Sequence, residues 1–225
     1  MELVFWISLI VLFYSYLGYG LIIFLLNNIR VLFSVTKKPS QTERLPVTLI
    51  ITAYNEANLL AQKISNTLAI DYPPDKLSIL FVTDGSSDSS AELISKFPAI
   101  QLMHLAERRG KYAAVKRAMQ QVRTPIVVFS ETNTMLNPEC INRIVTHYAD
   151  PMVGGVAGEK KILRNNYASA VGEAEGLYWQ YESFMKRQDA ELYTVVGAAG
   201  ELFSIRSSLF IPVDEDIILD DFVIS

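Results

Sequence analysis

Three short polar stretches hold the side chains of this sequence that are able to do chemistry. They are Thr52-Ala53-Tyr54-Asn55-Glu56, Thr83-Asp84-Gly85-Ser86-Ser87-Asp88 and Ser130-Glu131-Thr132-Asn133-Thr134. Each follows directly on an apolar run. A carboxylate in such a place accepts hydrogen bonds from a nucleobase N–H or from ribose hydroxyls. Gly85 lets the backbone come close to a ligand, and serine donors ahead of a helix suit anionic groups. Glu131 and Asn133, two residues apart, pose a choice between a metal and phosphate site and an ordinary polar turn. A fourth stretch, Arg108-Arg109-Gly110-Lys111, puts cations at a helix start, where they oppose the macrodipole; an anionic ligand would offset that. Taken singly, each stretch is also a turn, a helix cap or a solvated loop. Their conjunction on one sheet edge favours a ligand.

The elements that must position these groups alternate. Val47-Thr48-Leu49-Ile50-Ile51 is a β-branched run of the kind buried on both faces of a sheet. Leu60, Ile64 and Leu68 then repeat at helical spacing until Asp71-Tyr72-Pro73-Pro74 breaks the pattern. A second strand runs from Leu77 to Val82, and Ser89 or Ser90 caps a short helix through Ile94. A weaker third strand spans Ile100 to Leu105, and a basic helix spans Lys111 to Val122. Ile126-Val127-Val128-Phe129 is the fourth strand. Asn137-Pro138 starts a helix with Ile141, Ile144, Val145 and Tyr148 on one face. Beyond Gly154 a strand is expected at Val153 to Ile162, a helix at Ala168 to Gln188 and a strand at Leu202 to Ile205. This second half is an acceptor-side extension of the same domain. The fold class is α/β, with a mainly parallel sheet flanked by helices. In such sheets ligands bind outside the carboxyl ends of the strands.

At the other end, Leu3 to Leu26 carries no charge and is long enough to cross roughly 30 Å of hydrocarbon. A cleaved signal peptide wants a basic start and a small-residue cleavage site, and neither is present. The expectation is an N-terminal transmembrane helix with its juxtamembrane segment over residues 1–35 and a linker over residues 36–45. Arg30, Lys37, Lys38 and Arg44 follow the span, which places the remainder in the cytoplasm of a single-pass cell-membrane protein. Among 225 residues the net charge of −4 argues against nucleic acid as a partner. One cysteine excludes an internal disulfide, and the two histidines lie too far apart for a metal pair.

Ile50-Ile51-Thr52-Ala53-Tyr54-Asn55-Glu56, Phe81-Val82-Thr83-Asp84-Gly85-Ser86-Ser87-Asp88 and Gly110-Lys111-Tyr112-Ala113-Ala114 resemble the opening motifs of family 2 glycosyltransferases. The likeness runs in order over residues 46–225. Gly197-Ala198-Ala199-Gly200-Glu201-Leu202-Phe203-Ser204-Ile205-Arg206 resembles the family's acceptor-side segment, and Asp220-Asp221-Phe222 its Glu-Asp catalytic motif. The resemblance implies a GT-A fold and an inverting transfer from a nucleoside-diphosphate sugar to a saccharide or lipid-linked acceptor, in making cell-envelope or extracellular polysaccharide. Tyr54, Glu56, Asp84, Lys111 and Glu131 would bind the donor, with Asp84 on the base. Glu131 and Asn133 would engage Mg2+ or Mn2+ in the manner of the family's Asp-x-Asp motif. Asp221 would deprotonate the acceptor, with Asp220 beside it. Asn133 is neutral where the family has a second Asp, so metal binding is expected to be weaker. The chain stops at Ser225, just past Asp221, which reads as a fragment, a truncated frame or a minimal form. Tyr178, Trp179 and Tyr181 are either acceptor-stacking or packing residues. Two alternatives remain: a non-catalytic relative that binds nucleotide sugar or polysaccharide, and a nucleotidyltransferase. The latter wants a Gly-rich loop after the first strand, and Tyr54-Asn55-Glu56 is not one.

Overall fold

The structure is a computed structural model and describes residues 1–33, 44–161, 170–195, 197–198, 200–214 and 224. It divides into two compact units: Met1–Lys38 with Lys160–Val196, and Pro39–Glu159 with Gly197–Ser225. Most of the expected linker lies outside the described residues.

The larger unit is built on a six-stranded sheet. Its strands are β1 (Val47–Ala53), β2 (Leu77–Asp84), β3 (Gln101–Leu105), β4 (Ile126–Glu131), β5 (Gly155–Ala157) and β6 (Leu202–Arg206), in the order β3-β2-β1-β4-β6-β5. The pairs β3/β2, β2/β1 and β1/β4 are parallel, and β6 pairs antiparallel with β4 and β5. The sheet is thus mainly parallel, as the apolar runs require. Strand order reverses between β1 and β4, which opens a crevice at their carboxyl ends.

Alternation along the strands divides the core. Val47, Leu49 and Ile51 of β1, with Ile126 and Val128 of β4, pack on one face with Leu60, Ile64, Ile94, Ile141 and Ile144. These come from α3 (Ala57–Leu68), α4 (Ser90–Ser95) and α6 (Cys140–His147). Ile50, Val127 and Phe129 pack on the other face against Ala114, Val115 and Ala118 of α5 (Lys111–Met119). Phe129 stacks on Phe203 of β6, with centroids 4.7 Å apart. Three elements are shorter than their patterns suggest, and the basic helix expected to reach Val122 ends at Met119. The helix expected from Asn137-Pro138 begins at Cys140, after a turn in which the Cys140 N–H donates to the Asn137 carbonyl. The strand expected from Val153 is three residues long and, among the described residues, pairs with β6 alone.

In the smaller unit, α1 (Glu2–Phe13), a π-helical turn (Tyr14–Gly18) and α2 (Tyr19–Phe33) run on in series. Residues 2–32 are long and apolar enough to cross a membrane. α2 packs against α7 (Ala170–Leu192). Asn27 Nδ2 donates to the Gln188 carbonyl at 2.8 Å, Tyr19 donates to Asp189 at 2.8 Å, and Arg30 donates to the last carbonyls of α7. Tyr181 donates to the Tyr16 carbonyl, and the rings of Tyr178 and Tyr181 are both exposed.

Candidate active site

The loops after β1 and β2 are tied together. Asn55, the single non-glycine residue with positive φ among those described, receives Ser87 N–H on its Oδ1 at 2.9 Å. Its own N–H donates to Ser86 Oγ at 3.2 Å. Asp88 accepts from the N–H of Ala57, at the start of α3, at 2.9 Å and from that of Ser90, at the start of α4, at 3.0 Å. The serines and Asp88 that the motif offers for anion binding thus serve as loop fasteners and helix caps. Gly85 has φ +68°, and a Cβ there would lie 2.4 Å from the Arg108 Cβ. The second loop therefore needs glycine to pass beneath the basic stretch.

Above these loops opens a cleft of about 300 Å3, at the carboxyl ends of β1, β2 and β4. Tyr54, Glu56, Asp84, Lys111, Glu131 and Asn133 all line it, with Thr52, Arg108 and Gly110 among the other walls. Every donor-site residue expected from sequence is therefore brought to one place. Asp220 and Asp221 lie outside the described residues.

Within the cleft the charges are already engaged. Asp84, 6% exposed, accepts from the Arg109 and Gly110 N–H groups, both at 2.7 Å, and from Arg117 Nη2 at 3.0 Å. It fixes the turn that starts α5. Lys111 Nζ meets Glu131 Oε1 at 2.7 Å across the cleft. The Arg108 guanidinium lies 3.9 Å from the Tyr54 ring centroid, a cation–π contact. Arg109 pairs with Glu107 at 2.9 Å. The cations that seemed to need an anionic ligand are thus met in part by the chain itself.

The metal question rests on Glu131 and Asn133. Both supply hard oxygen, which suits Mg2+ or Mn2+. They bring one negative charge between them, and Lys111 already holds Glu131. Among the described residues no three His, Cys, Asp or Glu side chains gather closely enough to hold a metal ion. The pair fits part of a coordination shell that other oxygens would have to complete.

Sequence reasoning missed two supports. Arg117 is one, and no local pattern marks it. Lys63 is the other, fully buried with Nζ 3.1 Å from Ser130 Oγ and 2.5 Å from the Thr134 carbonyl. Its signal was a charge on the apolar stripe of Leu60, Ile64 and Thr67.

Comparison with known proteins bears on the family and the fold. The model of glycosyl transferase family 2 matches residues 48–212. A poly-beta-1,6-N-acetyl-D-glucosamine synthase of Staphylococcus aureus is 28% identical over 203 residues, 86% of this chain and 48% of its own length. Its Staphylococcus epidermidis counterpart is 24% identical over 187 residues, 80% of this chain and 44% of its own. The chain spans about half the length of these curated relatives. Among solved structures, the mannosyltransferase PcManGT from Pyrobaculum calidifontis, in complex with GDP-Man and Mn2+, superposes with a TM-score of 0.74. It is 24% identical, over 94% of this chain and 60% of its own. S. aureus TarS 1-349 with UDP-GlcNAc gives 0.56 at 13% identity, over 73% of this chain and 46% of its own. These two support the GT-A-like fold. With the motifs, the cleft and a family match over most of its length, the chain belongs to glycosyl transferase family 2.

Proposed function

We propose that this protein transfers a sugar from a nucleoside-diphosphate sugar to a saccharide or lipid-linked acceptor, with inversion, in making cell-envelope or extracellular polysaccharide. The observation that carries it is the convergence of Tyr54, Glu56, Asp84, Lys111, Glu131 and Asn133 on one cleft. The relatives named as polysaccharide synthases support the acceptor class. The apolar Glu2–Leu32 helix, with Arg30 in its last turn and Lys37 and Lys38 after it, supports a membrane anchor with the cleft in the cytoplasm.

In this reading the nucleoside lies along Tyr54, where Arg108 already covers one ring face. The Asp84 carboxylate, committed to three protein donors, acts on the nucleotide by shaping the Arg109-Gly110 turn. Lys111 faces the departing diphosphate and, freed from Glu131, balances its charge. A divalent cation held by Glu131, Asn133 and diphosphate oxygens would supply Lewis-acid stabilisation of the leaving group. Asp221 takes the proton of the acceptor hydroxyl as it attacks the opposite face of the sugar. Holding both substrates in line removes much of the entropic barrier.

The test is a screen of UDP-, GDP- and dTDP-sugars, N-acetylglucosamine nucleotides first, for nucleoside-diphosphate release with Mg2+ or Mn2+. Release is expected with at least one donor, and Asp221→Asn should lower it by roughly 100-fold or more. Release untouched by Asp221→Asn sinks the base assignment. Nucleotide binding without release from any donor favours the non-catalytic relative instead. Tight Mn2+ binding in the absence of nucleotide contradicts the shared metal site.

A further inference from the structure

The geometry points to Lys63 and Asn66 of α3 as positioning residues of the donor site, which fix the loop bearing Glu131 and Asn133 from beneath. This rests on the reading of the cleft as the donor site.

The loop from Ser130 to Leu136 is fastened at every second residue. Ser130 Oγ and the Thr134 carbonyl both meet Lys63 Nζ, at 3.1 and 2.5 Å. Thr132 Oγ1 donates to the Thr52 carbonyl at 2.9 Å. Leu136 is held twice by Asn66, its carbonyl by Nδ2 at 2.7 Å and its N–H by Oδ1 at 2.8 Å. The residues between, Glu131 and Asn133, line the cleft. Strand alternation starts this division, and α3 continues it past the end of β4, where no sheet partner remains to do so.

Lys63 is costly where it stands. It is 0% exposed among Leu60, Ile64 and Thr67, and its partners are a hydroxyl and a carbonyl, neither of them charged. Burying an ammonium whose hydrogen-bond partners are both neutral is costly, and an apolar side chain in the same stripe would avoid that desolvation. Fold stability alone therefore gives no reason for a lysine. A fixed loop beneath two cleft-facing oxygens does. A shift of about 1 Å in such a loop lowers turnover by roughly 100-fold.

The experiment uses the full chain in detergent, as wild type, Lys63→Met and Asn66→Ala. Lys63→Met keeps the side-chain length and removes the donors. The dissociation constant of the nucleoside diphosphate with Mn2+, and the donor KM, should rise by about tenfold, with the acceptor KM within about twofold. Asn66→Ala, which frees only the far end of the loop, should move the same constants by a smaller factor. Hydrogen exchange should quicken by about tenfold at residues 131–135 and stay unchanged at residues 47–53. A role confined to stability predicts the reverse: donor and acceptor constants intact and activity falling with the folded fraction. That outcome, or unchanged exchange in the loop, overturns the inference. Should wild type neither bind nucleotide nor release it from any sugar, the donor-site reading has failed. The exchange measurement then still decides whether α3 fixes the loop.

Discussion

The Lys63 ammonium has a consequence that can be read without any substrate. Burial lowers its pKa to about 8, against the opposing influence of Cys140, Glu131 and Glu56 nearby. In the unfolded chain the value returns to about 10.4. Between these values the unfolded state holds more protons than the folded one, so stability contributed by this group rises with pH from about 8 to about 10.4. Below pH 8 both states are charged and the slope vanishes. Urea unfolding of wild type and Lys63→Met should therefore give a difference that moves in favour of wild type from pH 8 to pH 10. A flat difference would mean that Lys63 is hydrated rather than buried. Such a residue is hard to read in sequence, because a lysine three residues from Leu60 looks like the solvated edge of an amphipathic helix. Tyr54, Glu56, Asp84 and Glu131 were legible, because each ends or follows an apolar strand. Their pairings were not: Lys111, itself expected from sequence, reaches Glu131, and Arg117 reaches Asp84, only through the three-dimensional packing of α5.

At the scale of elements, the first two loops behave as one piece. Asn55 and the two serines bind reciprocally, and Asp88 caps α3 and α4 together. Burial pushes the Asp88 carboxyl up, but hydrogen bonds from Ser90 and Ala57 outweigh it and hold the carboxyl below its ordinary value. Its contribution is thus present above the unfolded value near 3.9 and is lost as pH falls through the lower folded value. Asp88→Ala, which frees the first N–H of both helices, should cost about 1 kcal/mol at pH 7, comparable to the loss of an N-cap, and the deficit should shrink in acid. Equal unfolding midpoints for variant and wild type at pH 7 would show the cap to be idle. Strands β1, β2 and β4 were legible because continuous β-branched runs suit parallel strands covered on both faces. The short β5 was misread in extent: an edge strand paired on one side has too few constraints for its length to show in the sequence. The sequence also suggested that the serines of the second loop await an anion. Their use as fasteners depends on Asn55, some thirty positions earlier, and no local pattern reveals it.

At the scale of the molecule, the proposed topology is open to a direct test. The single native cysteine, Cys140, is buried, so an introduced cysteine labels against a clean background. Glu2→Cys should react with an impermeant maleimide on intact cells, and Lys96→Cys only after permeabilisation. The opposite pattern would reverse the orientation. The apolar span was plain from its lack of charge, whereas the pairing of α2 with α7 was not, since it joins segments some 160 residues apart. That pairing covers one side of the span only, since Leu17, Leu21, Ile22, Leu25 and Leu26 stay exposed beyond it. As the proposed anchor, the uncharged run from Leu3 to Leu26 gives roughly 36 Å of helix against about 30 Å of hydrocarbon. An anchor of that length would fit by tilting or by thickening the bilayer around itself, at fractions of a kcal/mol for each ångström of mismatch.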